Sequence, residues 1–268
     1  MHRNRLFGGL ILILLGTLFL LQTLGVLAWS VWTYFWPLVL ILLGAWILLR
    51  PRLAGKQSLE VENLAIPLQT AGESSIEFNH GAGRLLVSGD AAPGQLLEGS
   101  FVGGVRHSVQ QEGTLARVTL SADPVLTPLD IPWSGEEGLR WDVKLSREVP
   151  LDLTFHTGAG ENRINLRDLS VKRVVLETGA SSSEITLPAQ SPFCRVVVRA
   201  GAASVVLRVP DGVAGRIEME SGLVGSKIDP QRFPFNGTTY ETPGYDLAER
   251  RVEIKVEAGL GSIEITSG

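Results

Sequence analysis

The stretches LTFHTGAGENRINL (Leu153–Leu166) and VLETGASSSEITL (Val175–Leu187) share little beyond Thr-Gly-Ala, yet they carry one apolar frame. Phe155 precedes Gly158 by three residues and Ile164 follows it by six; Leu176 and Ile185 hold the same offsets around Gly179. Working outward, the frame recurs on glycines at 81, 158, 179, 201, 222 and 259, with spacings of 21, 22 and 21 residues between the four from 158 to 222. Position −5 is Ile76, Leu153, Val174, Val196, Ile217 and Ile254; position −3 is Phe78, Phe155, Leu176, Val198, Met219 and Val256. Position +6 is Val87, Ile164, Ile185, Leu207, Ile228 and Ile265, so all three positions are apolar throughout.

Between these positions the side chains alternate, as in RVEIKVEAGLGSIEIT (Arg251–Thr266), where Val252, Ile254 and Val256 face one way and Glu253, Lys255 and Glu257 the other. A period of two is that of a strand with one buried face. Each unit therefore reads as strand, glycine-centred corner, strand. Neither half buries its apolar face alone, so the units must stack. The fold class expected is all-β, a stacked-repeat β-solenoid or sandwich, with glycine allowing positive φ or close approach of neighbouring coils at the corner. The last spacing, 37 residues, exceeds a unit by about 16, and the surplus falls in PQRFPFNGTTYETPGYDL (Pro230–Leu247), a long loop or small hairpin on one edge. About three irregular units fit between Gly81 and Gly158, on weaker strand signals in LEGSFVGG, ARVTLS and LRWDVKLS. The chain stops directly after the strand GSIEITSG without a capping helix, with Glu264 as a guard on an exposed edge.

The N-terminus is of another kind. From Leu6 to Leu49 there is no Asp, Glu, Lys or Arg. Since about 20 apolar residues cross a bilayer, this block suits two helices, near Leu6–Leu27 and Val31–Leu49, joined by a tight turn. Trp29, Trp32, Tyr34 and Trp36 form an interfacial aromatic belt at that turn, and Pro37 opens the second helix. Arg3 and Arg5 before the block and Arg50, Arg52 and Lys56 after it place both ends in the cytoplasm. The rival reading is a signal peptide cleaved after VLA, leaving a mature N-terminus near Trp29 and one anchor of opposite orientation. The domains expected are a transmembrane hairpin over 1–52, a linker over 53–58 and the β-domain over 59–268.

The composition narrows the chemistry. A net charge of −4 without a long basic run argues against nucleic acid as a partner. The single cysteine, Cys194, precludes an internal disulfide and a multi-cysteine zinc site, and its apolar strand context makes it a buried structural residue. His2, His80, His107 and His156 lack metal-ligand spacing, and His80 and His156 read as solvated corner residues. Asp142 and Glu161 are isolated carboxylates, and the serines 181–183 lack a nucleophile elbow. HGAGR and TGAGEN are followed by strands, whereas phosphate cradles open helices. A carbohydrate enzyme on this scaffold would need paired carboxylates in a cleft, and none is legible. No catalytic, cofactor or metal site is expected.

GGLILILLGTLFLLQTLGVL and YFWPLVLILLGAWILL resemble the transmembrane module of LiaF-like and LiaI-like bacterial envelope proteins. LRWDVKLSREVPLDLTFHTGAGENRINLRDLSVKRVVLETGASSSEITLP is similar to the segment that defines the toast-rack domain, through Trp-Asp-x-x-Leu, Gly-Ala-Gly and the Leu-x-x-Leu ahead of the next Gly-Ala. The resemblance implies a membrane-anchored, β-solenoid-like domain linked to envelope stress responses, in some members inhibiting a sensor kinase. The function expected is thus a non-enzymatic sensor or scaffold in the bacterial cell membrane. Its partners would be the bilayer and a sensor kinase or another envelope protein. A self-assembling structural solenoid, hence a homo-oligomer, is the alternative. Phe233, Phe235, Tyr240 and Tyr245 in the 230–247 loop add apolar surface that the frame does not use; they are either the partner contact or a cap over the last coils.

Overall fold

The computed structural model describes residues 37, 39–41, 61–122 and 139–268, with backbone alone at 221–224. The chain divides into two compact units, Met1–Gln57 and Ser58–Gly268. In the first, the described residues 37 and 39–41 are helical. Among the described residues no helix is long and apolar enough to cross a membrane; the expected hairpin otherwise lies outside them.

The second unit is all-β and mixed, with twelve strands. They are β1 (Val61–Pro67), β2 (Glu73–Ser88), β3 (Gln95–Val102), β4 (Val105–Glu112), β5 (Leu115–Ala122) and β6 (Arg140–Leu145), followed by β7 (Leu151–Asn165), β8 (Val171–Thr186), β9 (Phe193–Val209), β10 (Ala214–Ile228), β11 (Tyr240–Glu241) and β12 (Arg251–Ser267). Each repeat of the frame is one long strand of 15 to 17 residues that runs unbroken through its glycine. The bend shows in the alternation itself. In β9 the buried side is Cys194, Val196, Val198 and Ala200, then Ala203, Val205, Leu207 and Val209. That slip of one residue past Gly201 lets both limbs face the same core only if the strand turns a corner there.

The long strands stack in parallel, and the offsets counted in the sequence become the spatial register. Ile76 lies beside Leu153, Leu153 beside Val174 and Val174 beside Val196; Val196 then lies beside Ile254, and Ile254 beside Ile217. The −3 and +6 rows align in the same way, bringing Phe78 and Phe155 into a stacked pair with ring centroids 4.8 Å apart. One apolar core runs the length of the stack from Ile66 to Ile265. At about 25 cal/mol per Å² of apolar surface this shared core is the main stabilising term. Close approach at the corner restricts side chains. Gly160 has φ 145°, and a Cβ there would sit far inside contact with the Gly83 carbonyl oxygen of the adjacent strand.

Two expectations are corrected. The segment between the first two repeats builds one split coil, not three irregular units: β5 pairs in parallel with the first limb of β2, and β6 with its second limb. Outside them β4 pairs antiparallel with β5, β3 with β6, and β1 with β3. Trp141 of β6 is buried here, with Phe101 edge-on at 5.2 Å. The stack is also out of sequence order, since it runs β2-β7-β8-β9-β12-β10-β11. The C-terminal β12 is interior, between β9 and β10, so Glu264 guards no edge; it accepts a hydrogen bond from Lys227 of β10 at 2.7 Å. The outermost long strand is β10, which is why Met219 and Ile228 are only partly buried.

Candidate functional site

Two features could carry function: the line of glycine corners and the 230–247 cover. Residues one and four positions from the corner glycine point inward and hydrogen-bond across strands. Thr157 Oγ1 donates to Thr178 Oγ1 at 2.9 Å, and Asn162 Nδ2 to Thr157 Oγ1 at 3.2 Å and Ser183 Oγ at 2.8 Å; Ser181 joins Thr178 and Ser183. The serine run is thus a buried structural seam, apart from the exposed Ser182. Satisfied polar groups in a core specify register without offering chemistry.

His80 occupies the same inward row beside Thr157, which corrects its reading as solvated. It is 2 % exposed, its ring lies 4.8 Å from that of Trp141, and neither ring nitrogen has a partner among the described residues. Burial lowers its pKa to about 4, so it is neutral at physiological pH.

On the solvent side of the corners runs an ionic ladder. His156 Nδ1 lies 3.0 Å from Glu177; Arg199 bridges Glu177 at 2.7 Å and Glu257 at 3.2 Å; Lys255 joins Glu257 at 3.3 Å to Glu220 at 3.2 Å. Arg199 holds the Glu177 carboxyl below the usual range, and Lys255, then Arg199, do the same for Glu257. Both carboxylates are kept ionised and paired, the reverse of a general acid. Asp142 pairs with Arg140, and Glu161 with Arg84 and Arg163, on solvated faces. Cys194 is buried and its thiol pKa is pushed up to about 12, so it is inert at neutral pH. Among the described residues no three His, Cys, Asp or Glu side chains group as metal ligands.

The cover divides the four aromatics of the loop. Phe233 is fully buried and lies where a side chain on Gly215 would be. Tyr245 is buried with the Arg216 guanidinium 4.2 Å from its ring. Tyr240 is half-buried opposite Ile217 in β11. Phe235 is 58 % exposed, standing beside Tyr240 at the base of a tight hairpin whose tip, Asn236–Thr239, is closed by bonds to the Asn236 carboxamide oxygen. Leu247, 92 % exposed, adds apolar surface that the aromatic count passed over. Arg232 was equally illegible, because a lone arginine in a Pro/Phe-rich loop carries no periodic signal. Its guanidinium donates to the carbonyls of Val209 at 2.8 Å, Val213 at 3.0 Å and Pro210.

The described residues form a bent-strand stack with a buried, hydrogen-bonded corner seam and an ionic ladder on its solvent side. Residues 54–208 match the family described as the N-terminal domain of toast_rack, and the chain belongs to the toast-rack family. Residues 6–48 match the LiaI-LiaF-like transmembrane region, the membrane module expected from the charge-free block. No curated protein matches the sequence. Among solved structures, a candidate cell adhesion protein from Clostridium sporogenes is similar at TM-score 0.71 and 18% identity, over 78% of this chain and 100% of that one. A candidate adhesin from Bacteroides fragilis matches at TM-score 0.30 and 7% identity, over 77% and 97% of the two chains. The first likeness shows the fold.

Proposed function

We propose that this membrane-anchored protein is a non-enzymatic sensor or scaffold of the bacterial cell envelope that acts through protein contacts, with a membrane sensor kinase as the partner class. The hairpin anchor crosses twice and leaves both ends in the cytoplasm. The observation that carries the reading is the division of labour in the cover: Phe233 and Tyr245 close the stack, while Phe235 and Leu247 stand free on a rigid base. Exposed apolar side chains on a loop held by a stiff scaffold suit recognition. The neutralised ladder, with its paired carboxylates, supports the non-enzymatic part. End-to-end self-assembly is the weaker reading, since β12 is interior and Lys227 stands 80 % exposed on the outermost strand, a charge of the kind that blocks edge pairing.

The test compares Phe235→Ser with Phe233→Ala. The first should leave stability within about 0.5 kcal/mol and abolish co-precipitation with a membrane histidine kinase that the parent protein retains, together with that kinase's stress output. The second should cost about 3 kcal/mol or more because it empties a filled site. Unchanged association and output in folded Phe235→Ser would refute the contact.

A further inference from the structure

The tip of the cover hairpin carries groups that the contact reading does not use. Asn236, Gly237 and Thr238 are exposed, and Gly237 has φ 103° with open space on its Cβ side. Asn236 and Thr239 face each other across the turn, the Asn236 N–H donating to the Thr239 carbonyl at 3.0 Å. An ordinary tight hairpin would return a bond from the Thr239 N–H to the Asn236 main-chain carbonyl. Here that N–H donates instead to Asn236 Oδ1 at 3.0 Å, and the Thr238 N–H donates to the same oxygen at 3.1 Å. An asparagine that bonds the backbone two residues on folds its carboxamide back over the peptide in between. That peptide ends in the Gly237 nitrogen, whose N–H has no partner among the described residues.

Attack of a nitrogen on a carboxamide carbon places negative charge on the carboxamide oxygen. Two N–H groups already aimed at that oxygen are the arrangement that stabilises such a charge. The Thr239 hydroxyl completes the set: Asn236 Nδ2 donates to its Oγ1 at 3.2 Å, and Oγ1 lies 3.5 Å from Oδ1, so it is placed to pass a proton to a departing nitrogen. Glycine at 237 leaves the attacking nitrogen unshielded, since no Cβ stands beside it.

We propose that Asn236–Gly237 is a self-modifying site, at which the hairpin converts its own asparagine to aspartate and isoaspartate. The Gly237 nitrogen loses its proton to solvent and bonds to Asn236 Cγ; the Cγ–Nδ2 bond breaks, and ammonia leaves behind a succinimide. Water then opens the ring. Addition at Cγ gives aspartate, and addition at the main-chain carbonyl leaves the chain running through Cγ as isoaspartate. No atom is oxidised or reduced, and water is the sole co-reactant. Either product sets a carboxylate beside Phe235, and isoaspartate also lengthens the main chain by a methylene at the Phe235–Tyr240 bridge. Loss of partner binding on conversion rests on the reading of Phe235 given above; the chemistry does not.

The experiment holds the detergent-solubilised full chain at pH 7.5 beside the same chain in urea and follows the tryptic peptide 233–250 by mass and chromatography. Amide-to-acid conversion at Asn236 is expected, split into aspartyl and isoaspartyl forms and several-fold faster in the folded chain than in urea. Thr239→Val keeps the backbone N–H and the branched shape but should slow conversion several-fold, and Thr239→Ser, which restores the hydroxyl, should recover the rate. Conversion in the folded chain no faster than in urea would overturn the proposal. A rate indifferent to the Thr239 hydroxyl would overturn its part in proton transfer. Because the readout is mass, its failure leaves the Phe235 contact standing, and failure of the contact leaves this chemistry standing.

Discussion

His80 offers a quantitative check on the buried end of the corner seam. Its imidazole is buried against Trp141, and among the described residues neither nitrogen has a partner and no Asp or Glu is buried to compensate a charge. Glu77 on the same strand, and His156, Arg140 and Asp142 on the neighbouring strands, lie on solvated faces. The native ring titrates at about 4, against 6.5 for the free side chain. Above pH 6.5 both states are neutral and the group has no effect on the pH dependence. Below it the unfolded chain binds a proton that the folded chain refuses, so stability is lost as pH falls from 6.5 towards 4. At about 1.4 kcal/mol per pH unit, the loss is about 2.5 kcal/mol at pH 4.5. His80→Phe keeps a ring against Trp141 and removes both nitrogens, so it should match or exceed the parent at pH 7.5 and lack this acid loss. Urea unfolding of the detergent-solubilised chain, followed by the far-ultraviolet circular dichroism of the β-domain at pH 7.5 and 4.5, measures both. Carboxylates that titrate in the same range are common to the two proteins and cancel in the difference. Equal pH dependence in parent and His80→Phe would refute the reasoning, because it would mean the ring reaches water or a partner in the folded state.

Gly160→Ala should destabilise by about 3 kcal/mol or more in the same urea assay, since it adds a left-handed-region penalty to a clash with the Gly83 carbonyl; Gly94→Ala, also at positive φ but facing open space, should cost only about 1 kcal/mol. A reporter fused after Gly268 should behave as cytoplasmic; an exported reporter, or a mature N-terminus near Trp29, would replace the two-span anchor by a cleaved leader with one anchor.

How much of this was legible depends on whether the governing force is local. The period-two alternation and the recurring offsets around Gly158 and Gly179 state which side chains are inward, because a strand's faces are set by its own sequence. Those offsets proved to be the lateral register as well, as Leu153 beside Val174 shows. His80 belonged to the same rows: extending −5 and −3 to −1 places it inward, next to Thr157. The lone corner histidine looked solvated only while the alternation was not followed up to the glycine. The order of stacking is of another kind. Ile217 and Ile254 present the same apolar edge, and either would satisfy β9. What places β12 inside and β10 outside is tertiary: the Arg232 bonds to the carbonyls of Val209, Pro210 and Val213, and a cover strand that pairs with β10. The cover likewise turned four aromatics that were equal in sequence into buried closure at Phe233 and Tyr245 and free surface at Phe235, because burial there depends on which neighbour, Gly215 or solvent, the folded chain supplies. The residues alone determined the faces, the corners and the spacing of the stack. Neighbour choice was decided only in the folded molecule, because apolar contact is non-directional and a repeated frame makes its units interchangeable.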